Sequence, residues 1–192
     1  MGGIPRIPTT LESTEVRIDM ELQGKRVALL VEADYQDMEV WYPKLRLTEA
    51  GAQVVTIGTV TGPHYKGKYG YPITADKTVS EVNADDFDAI VIPGGWAPDK
   101  LRQYSDVIDL VRKINAAGKP VAAICHAGSV LVSADIVRDK TLTSFVAVKD
   151  DLIHAGANWV DREVVVDGNL ITSRKPDDLP AFCRELIRML RG

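Results

Sequence analysis

The sequence predicts a doubly wound α/β fold in which helices sandwich a mostly parallel sheet. Two observations carry this prediction: short apolar runs alternate with longer amphipathic stretches, and glycines close the helical stretches. The 192 residues, 45% of them hydrophobic, fit one domain with a sizeable core better than two domains. In such a fold the active site belongs at the carboxyl ends of the parallel strands.

The predicted elements follow one another from Lys25 to the C-terminus. Buried apolar runs predict strands, and apolar residues spaced three and four apart predict helices. In chain order they are a strand over Arg26–Val31, a helix over Met38–Ala50, strands over Gln53–Ile57 and Ala89–Ile92, a helix through Val107–Ile114, a strand ending at Ile124, strands over Glu163–Val166 and Leu170–Thr172, and a helix from about Asp177 to Arg191. Gly51 and Gly118 end the first two helices. Asp167–Gly168 predicts a hairpin between the last two strands, and the turn-rich stretch Thr61–Tyr71 predicts another.

The first 24 residues are predicted to form a flexible arm ahead of a single domain over residues 25–192. This arm carries Pro5, Pro8 and scattered acidic residues, and it lacks the basic start and apolar centre of a secretory signal. No apolar run in the sequence approaches the length of a membrane span. We therefore expect a cytoplasmic protein.

Composition narrows the classes of partner. A formal net charge of −4 provides no basic footprint for nucleic acid or an anionic membrane, so a small molecule or a protein is the expected substrate. Two cysteines are too few for a disulfide framework and fit a reducing compartment. His64 and His154 lack a second ligand at metal spacing, and both are interpreted as structural.

The most informative stretch is the apolar strand that ends in Cys125–His126–Ala127–Gly128. It is typical of a nucleophile elbow, in which a strand delivers a reactive side chain to a tight turn before a helix and a small neighbour lets the backbone bend. The helix end would favour the Cys125 thiolate, and N–H groups such as that of Ala127 would hold an oxyanion. The alternative is that Cys125 is a small buried hydrophobic residue, which is how Cys183 is interpreted because it lies on a helical apolar face.

Two other strand ends are predicted to meet this elbow. The first strand leads into Tyr35–Glu39 and the strand ending at Ile92 leads into Gly94–Gly95. The Gly94–Gly95 backbone could approach a substrate and add an N–H group to the oxyanion site. Glu39 is the best candidate for a carboxyl group that shuttles a proton. Its alternative role is only to complement the dipole of the helix that it begins.

The chain resembles the ThiJ/PfpI superfamily from about Lys25 to the C-terminus, and within it the PfpI intracellular-protease branch. The motifs that carry the resemblance are Ala123–Ile124–Cys125–His126, Ile92–Pro93–Gly94–Gly95 with Ala97–Pro98, Asp37–Met38–Glu39 with Tyr42–Pro43, Gly67–Lys68–Tyr69–Gly70–Tyr71, Lys149–Asp150–Asp151, Ala155–Asp161 and Val164–Asn169. The cysteine elbow alone would also fit class I glutamine amidotransferases.

The resemblance implies a flavodoxin-like sandwich that assembles into homodimers or hexamers and needs no metal or organic cofactor. It implies that Cys125 is the nucleophile, that His126 is its base and that Glu39 hydrogen-bonds the cysteine. Asp99 falls where the branch has an acidic residue that reaches the histidine of a neighbouring subunit.

Three departures from the branch affect what is carried over. Ala127–Gly128 replaces a Gly-Pro pair after the Cys-His pair. Gln36 stands where a second glutamate is usual, so a mechanism that needs two carboxyl groups is in doubt. Phe145 replaces a frequent tyrosine and removes a hydroxyl that could touch substrate. A more apolar and less acidic pocket is expected.

Trp96 follows Gly94–Gly95 in the sequence. It either lines the mouth of the pocket or fills a subunit contact, and aromatic enrichment at interfaces favours the contact.

Three functions remain open on the sequence. The favoured one is a glyoxalase III-type reaction in which the Cys125 thiolate adds to a dicarbonyl such as methylglyoxal and Glu39 moves protons to give lactate, with repair of glycated side chains as an extension. The second is a peptidase or amidase built from Cys125, His126 and Asp99 of a neighbouring subunit. The third is a non-catalytic oxidant sensor or chaperone. The first needs only a thiolate and one proton shuttle.

Overall fold

The structure, a computed structural model, describes residues 20–60 and 64–192. The strands are β1 Arg26–Leu30, β2 Gln53–Gly58, β3 His64–Lys66, β4 Pro72–Thr74, β5 Lys77–Thr78, β6 Ala89–Ile92, β7 Val121–Ile124, β8 Thr141–Leu142, β9 Asn158–Trp159, β10 Val164–Asp167 and β11 Leu170–Ser173. The helices are α1 Asp37–Glu49, α2 Ala97–Leu101, α3 Ser105–Ala116, α4 Gly128–Ser133, α5 Lys149–His154 and α6 Leu179–Arg191.

A seven-stranded sheet, in the order β10-β11-β7-β6-β1-β2-β5, forms the centre of the described residues. All neighbouring pairs are parallel except β10 with β11. The chain adds β2 on one side of β1 and then β6 and β7 on the other, so the order reverses between β1 and β6. The flavodoxin-like topology places a ligand crevice at this switch point. The predicted fold class is confirmed.

Helices cover the sheet in two groups. Helix α1 packs against α6, whereas α4 packs against α2 and α3. Helix α6 buries one stripe and leaves its arginines at the surface, as its apolar spacing predicted. The buried residues of α6 are Leu179, Ala181, Phe182, Cys183, Leu186, Ile187 and Leu190. The predicted core position of Cys183 is therefore confirmed.

Both predicted hairpins are present. Strands β10 and β11 pair from Val164↔Ser173 to Asp167↔Leu170, which leaves a two-residue turn. Strands β3 and β4 form the other hairpin, although residues 61–63 of the predicted excursion lie outside the described residues. The Asp37 carboxylate accepts backbone N–H groups from Tyr69 and Tyr71 at 3.0 Å. This side chain therefore fastens the hairpin turn to the start of α1.

The predicted elements are confirmed to within about two residues at most ends. Helix α2, strand β5 and the small parallel sheet of β8 and β9 were not predicted. The domain begins earlier than Lys25, because Leu22 is fully buried in the core and donates a backbone hydrogen bond to Ala50. Residues 1–19 of the predicted arm lie outside the described residues. Within the described part, no helix has the length and apolarity needed to cross a membrane.

Candidate active site

Strand β7 delivers Cys125 to a sharp backbone turn. Cys125 has a φ of +63°, a left-handed conformation that costs an ordinary residue about 1–3 kcal/mol. A 3₁₀ turn over Cys125–Ala127 follows, and α4 begins at Gly128. The prediction that the small residues after the cysteine carry the bend is wrong. The bend lies on the cysteine itself, and Ala127 is fully buried.

Two hydrogen bonds join the loop after β1 to the loop after β6. Gln36 donates its backbone N–H to the Gly94 carbonyl at 3.1 Å, and Trp96 donates to the Asp34 carbonyl at 2.9 Å. The side chain of Gln36 also caps α1, since its Oε1 accepts the Met38 N–H at 2.7 Å. These contacts hold the first turn of α1 against the β6 end, so Glu39 and Gly94 meet beside the elbow.

Glu39 is the buried carboxyl group of the site. Its side chain has no exposed surface, and its Oε2 accepts the Gly94 N–H at 2.7 Å. Its Oε1 has no hydrogen-bond partner of good geometry among the described residues. A Cβ atom at residue 94 would lie 2.6 Å from both Cys125 Cβ and Glu39 Oε2. Glycine at 94 is therefore what allows the carboxyl group and the thiol side chain to approach each other.

The protonation of Glu39 follows from this burial. Burial raises the pKa of Glu39 from 4.5 to about 7, although hydrogen bonds from the Gly94 N–H and the Cys125 thiol and the charge of Lys68 lower it. A carboxyl group with this pKa exchanges a proton readily at neutral pH. This suits the role expected for Glu39, a carboxyl group that shuttles a proton beside Cys125.

The Cys125 thiol differs from the prediction. It is 7% exposed, and burial together with the Glu39 carboxylate raises its pKa to about 12, whereas the N–H groups of His126 and Gly95 lower it. The helix end is expected to favour a thiolate, but burial and the like charge of Glu39 oppose the thiolate more strongly than the two N–H groups favour it. A protonated sulfur must pass its proton to a neighbour when it reacts.

The N–H groups at the sulfur are those of Gly95 and His126. Gly95 is one of the predicted donors. Gly94 is not available as an oxyanion donor because its N–H is bonded to Glu39. Ala127 is fully buried, and its N–H is not one of the two groups at the sulfur. The His126 N–H was missed by the sequence analysis, since the strained turn that aims it at the sulfur is not visible in the residue types.

His126 turns its ring back toward the nucleophile. Its Nδ1 lies 3.3 Å from Cys125 Sγ. The ring stacks on Phe145 with centroids 4.9 Å apart and packs against Trp96 at 5.7 Å. Burial lowers the pKa of His126, the Asp99 charge raises it and Lys68 lowers it. Trp96 and Phe145 thus both lie at the site, where they contact the imidazole ring.

Three other polar residues lie around this site without bonding to the reacting pair. Asp99 is exposed and its carboxylate makes no hydrogen bond or ion pair among the described residues, although its charge acts on His126 of the same chain. Lys68 acts on both Glu39 and His126 from the hairpin turn. The motif Gly67–Tyr71 contains this lysine, but the sequence does not show that its charge acts on the site. Gln36 is buried as a helix cap.

The remaining candidate residues lie elsewhere. His64 bonds Thr74 on the β3–β4 hairpin, and His154 is exposed at the end of α5. Within residues 20–60 and 64–192, no group of three His, Cys, Asp or Glu side chains could hold a metal ion.

A strained cysteine at a strand end, an adjacent histidine and a buried glutamate at the switch point of a flavodoxin-like sheet define a class of α/β proteins with a cysteine elbow. The DJ-1/PfpI family model matches residues 25–189. The chain belongs to the DJ-1/PfpI family.

Known proteins resemble the chain over most of its length. It is 42% identical over 166 residues to Deglycase PfpI of Pyrococcus furiosus, covering 86% of this chain and 99% of that protein. It is 42% identical over 168 residues to YraA of Bacillus subtilis, which is named as a proposed cysteine protease. That match covers 88% of this chain and 99% of YraA. A crystal structure from Anabaena variabilis, a two-domain protein with DJ-1/ThiJ/PfpI-like and ferritin-like domains, superposes with a TM-score of 0.85 at 44% identity. It covers 86% of this chain, which spans 48% of that longer protein.

Proposed function

We propose that the protein is a cysteine-dependent enzyme acting on small reactive carbonyls, converting methylglyoxal to lactate and extending to glycated side chains. The observation that carries the proposal is Glu39: a fully buried carboxyl group beside the Cys125 thiol whose pKa is raised to about 7. An acid–base group works best when its pKa lies near the operating pH. The relatives named deglycase support the same class of carbonyl substrate.

The first step is addition of sulfur to the aldehyde carbon. The S–H proton passes to the Glu39 carboxylate or to His126 Nδ1, which lies 3.3 Å from the sulfur. The carbonyl oxygen receives a proton and becomes the hydroxyl of a hemithioacetal. The N–H groups of Gly95 and His126 face the sulfur and stabilise negative charge that develops on this oxygen.

The second step moves a proton between the two carbons. The Glu39 carboxylate removes the proton from the carbon that bears sulfur, and an enediol forms. Glu39 returns the proton to the neighbouring carbon, which yields a lactoyl thioester on Cys125. Water then cleaves the carbon–sulfur bond, releasing lactate and restoring the thiol. One carbon is oxidised and its neighbour reduced, so the reaction balances as methylglyoxal plus water to lactate.

Access to the sulfur favours a small substrate. Cys125 is 7% exposed, and His126, Trp96 and Phe145 pack together at the site. A small carbonyl group, free in methylglyoxal or in the adduct on a glycated side chain, is small enough to meet such a sulfur. A peptide backbone requires an open cleft on both sides of the scissile bond.

A cysteine peptidase or amidase is the second candidate. The Cys125–His126 contact at 3.3 Å favours it, because a thiol beside an imidazole is the arrangement of a thiol hydrolase. YraA provides the corresponding name among relatives. In this reaction Cys125 would form an acyl-enzyme, and Asp99 of a neighbouring subunit in a homodimer or hexamer would complete the triad.

One experiment separates these functions. Purified protein is incubated with methylglyoxal and, separately, with a fluorogenic peptide panel, using wild type, Cys125→Ser, Glu39→Gln and the control Cys183→Ala. We expect lactate formation without an added thiol, its loss in Cys125→Ser and at least a ~10²-fold reduction in Glu39→Gln. Peptide cleavage with an acyl-enzyme burst and no lactate would support the hydrolase. Oxidation of Cys125 without turnover of either substrate would contradict both.

A further inference from the structure

The imidazole of His126 contacts two aromatic side chains from separate loops. The Phe145 ring lies nearly parallel to it, at 27° and 4.9 Å, and the Trp96 ring is tilted by 48° at 5.7 Å. Side chains of adjacent residues ordinarily diverge, yet His126 Nδ1 lies 3.3 Å from Cys125 Sγ. We propose that Trp96 and Phe145 are positioning residues that hold His126 against the Cys125 thiol, as a neutral proton acceptor, within a single chain.

The two aromatic residues are anchored to the site through their own backbones. Phe145 donates its N–H to the Cys125 carbonyl at 3.2 Å, so the ring that stacks on His126 is tied to the nucleophile's backbone. Trp96 donates its N–H to the Asp34 carbonyl at 2.9 Å, within the contact that joins the β1 and β6 ends. Two loops of its own chain therefore constrain the imidazole.

The surroundings favour the uncharged form of the imidazole. Burial lowers the pKa of His126, the exposed Asp99 raises it and Lys68 lowers it. The other titratable groups at the ring are Cys125, in direct contact, and Glu39 behind the sulfur. A neutral imidazole has one acceptor and one donor nitrogen. With Nδ1 accepting the thiol proton, Nε2 carries a hydrogen, and Nε2 has no partner among the described residues, so it can donate to a substrate oxygen.

This inference rests on the proposed function only in taking Cys125 as the reacting group. The test uses NMR titration of the His126 ring and the pH dependence of Cys125 alkylation by iodoacetamide. The variants are Phe145→Leu and Trp96→Leu, with Phe145→Tyr as the conservative change. Tyr104→Leu is the matched control, since Tyr104 is 38% exposed, close to the 36% of Phe145, and does not stack on His126.

We expect Phe145→Leu and Trp96→Leu to raise the pKa of His126 toward its ordinary 6.5, because water then reaches the ring. Alkylation of Cys125 at neutral pH should slow by ~10-fold, the cost of a poorly placed proton acceptor. Phe145→Tyr should keep both properties, and Tyr104→Leu should match wild type. The His64 and His154 resonances of each variant should match those of wild type at every pH. This separates local repositioning of His126 from a general loss of structure.

Wild-type values of both quantities in Phe145→Leu and in Trp96→Leu would overturn the inference. Loss of the low His126 pKa when the wild type is diluted to a monomer, checked by sedimentation, would also overturn it, since a partner chain would then be doing the positioning. Methylglyoxal turnover is recorded in parallel. If turnover is absent while the expected shifts occur, the proposed function fails and the positioning role stands.

Discussion

The two cysteines of this chain are both buried but have opposite surroundings. Cys125 and Cys183 are 7% and 1% exposed, and burial raises the pKa of each to about 12. Cys183 packs among the apolar side chains of α6, with only the charge of Arg46 lowering its pKa. Cys125 lies at a strained turn beside an imidazole, a carboxyl group and two N–H groups. Burial therefore does not distinguish a reactive cysteine from a core cysteine, whereas proton acceptors within reach do.

The sharpest test of this comparison is selective alkylation. Folded protein treated with iodoacetamide should be labelled at Cys125 at least ~10²-fold faster than at Cys183, because only Cys125 has a positioned proton acceptor. Peptide mapping by mass spectrometry measures both rates in one sample. Urea-unfolded protein, in which the two sites should label alike, is the control. Equal labelling in the folded state would break the comparison.

The next test separates the charge of Glu39 from its proton transfer. The Glu39 carboxylate raises the pKa of the Cys125 thiol, so Glu39→Gln should lower that pKa and speed alkylation at neutral pH. Turnover of methylglyoxal should nevertheless fall by ~10²-fold or more, because an amide cannot shuttle a proton. Cys183 labelling should not change. Parallel loss of alkylation and turnover would indicate a collapsed site instead.

Glu39 also predicts how stability depends on pH. Its pKa is raised on folding from 4.5 to about 7, so the folded state binds the proton more tightly than the unfolded state. The stabilisation from that proton is complete below about pH 4.5 and is lost as the pH rises through 7. The full shift corresponds to about 3 kcal/mol.

Denaturant unfolding of wild type and Glu39→Gln across this window measures the effect. The free energy of unfolding of the variant relative to wild type should rise by up to about 3 kcal/mol between pH 4 and pH 8. Cys183→Ala serves as the control, because its difference from wild type should be flat over the same range. A constant difference for Glu39→Gln would contradict the raised pKa.

The close approach of Cys125 to Glu39 depends on glycine at position 94, and Cys183 has no such neighbour. A Cβ atom there would lie 2.6 Å from Cys125 Cβ and Glu39 Oε2, so Gly94→Ala should separate the pair and reduce turnover by ~10-fold or more. Gly128→Ala is the matched control, since its Cβ atom would meet only the end of the Leu152 side chain, at 3.1 Å. Turnover in Gly94→Ala equal to that in Gly128→Ala would contradict the role of this contact.

The fold was largely predictable because it depends on local patterns. Strand β6 coincides with the predicted Ala89–Ile92, and the α6 stripe follows from residue spacing. Strands β5, β8 and β9 were missed, since two residues are too short to show periodicity.

The residues of the site were predictable from the sequence. The protonation of the thiol and the orientation of the His126 ring were less so. The strand ends brought Glu39, Gly95, Cys125 and His126 together as expected. The protonated thiol was not predictable, because burial arises from the packing of distant segments. Phe145 and Trp96, which lie far from each other in sequence, direct the His126 ring. Lys68 lies on a hairpin turn that long-range contacts fasten to the loop after β1, through its own N–H to the Tyr35 carbonyl and through the Asp37 carboxylate.

The smallest expected effect concerns Asp99. It is exposed, and its charge acts on His126 of its own chain, where solvent screens it. Asp99→Asn should therefore lower the pKa of His126 slightly and change methylglyoxal turnover by only ~2-fold. The same substitution should leave the iodoacetamide labelling of Cys125 and Cys183 as in wild type. A large loss of peptide or amide turnover in Asp99→Asn, reproduced by diluting the wild type to a monomer, would show instead that Asp99 completes a triad across a subunit interface. The reactivity of Cys125 would then depend on assembly, and its contrast with Cys183 would be a property of the oligomer rather than of one chain.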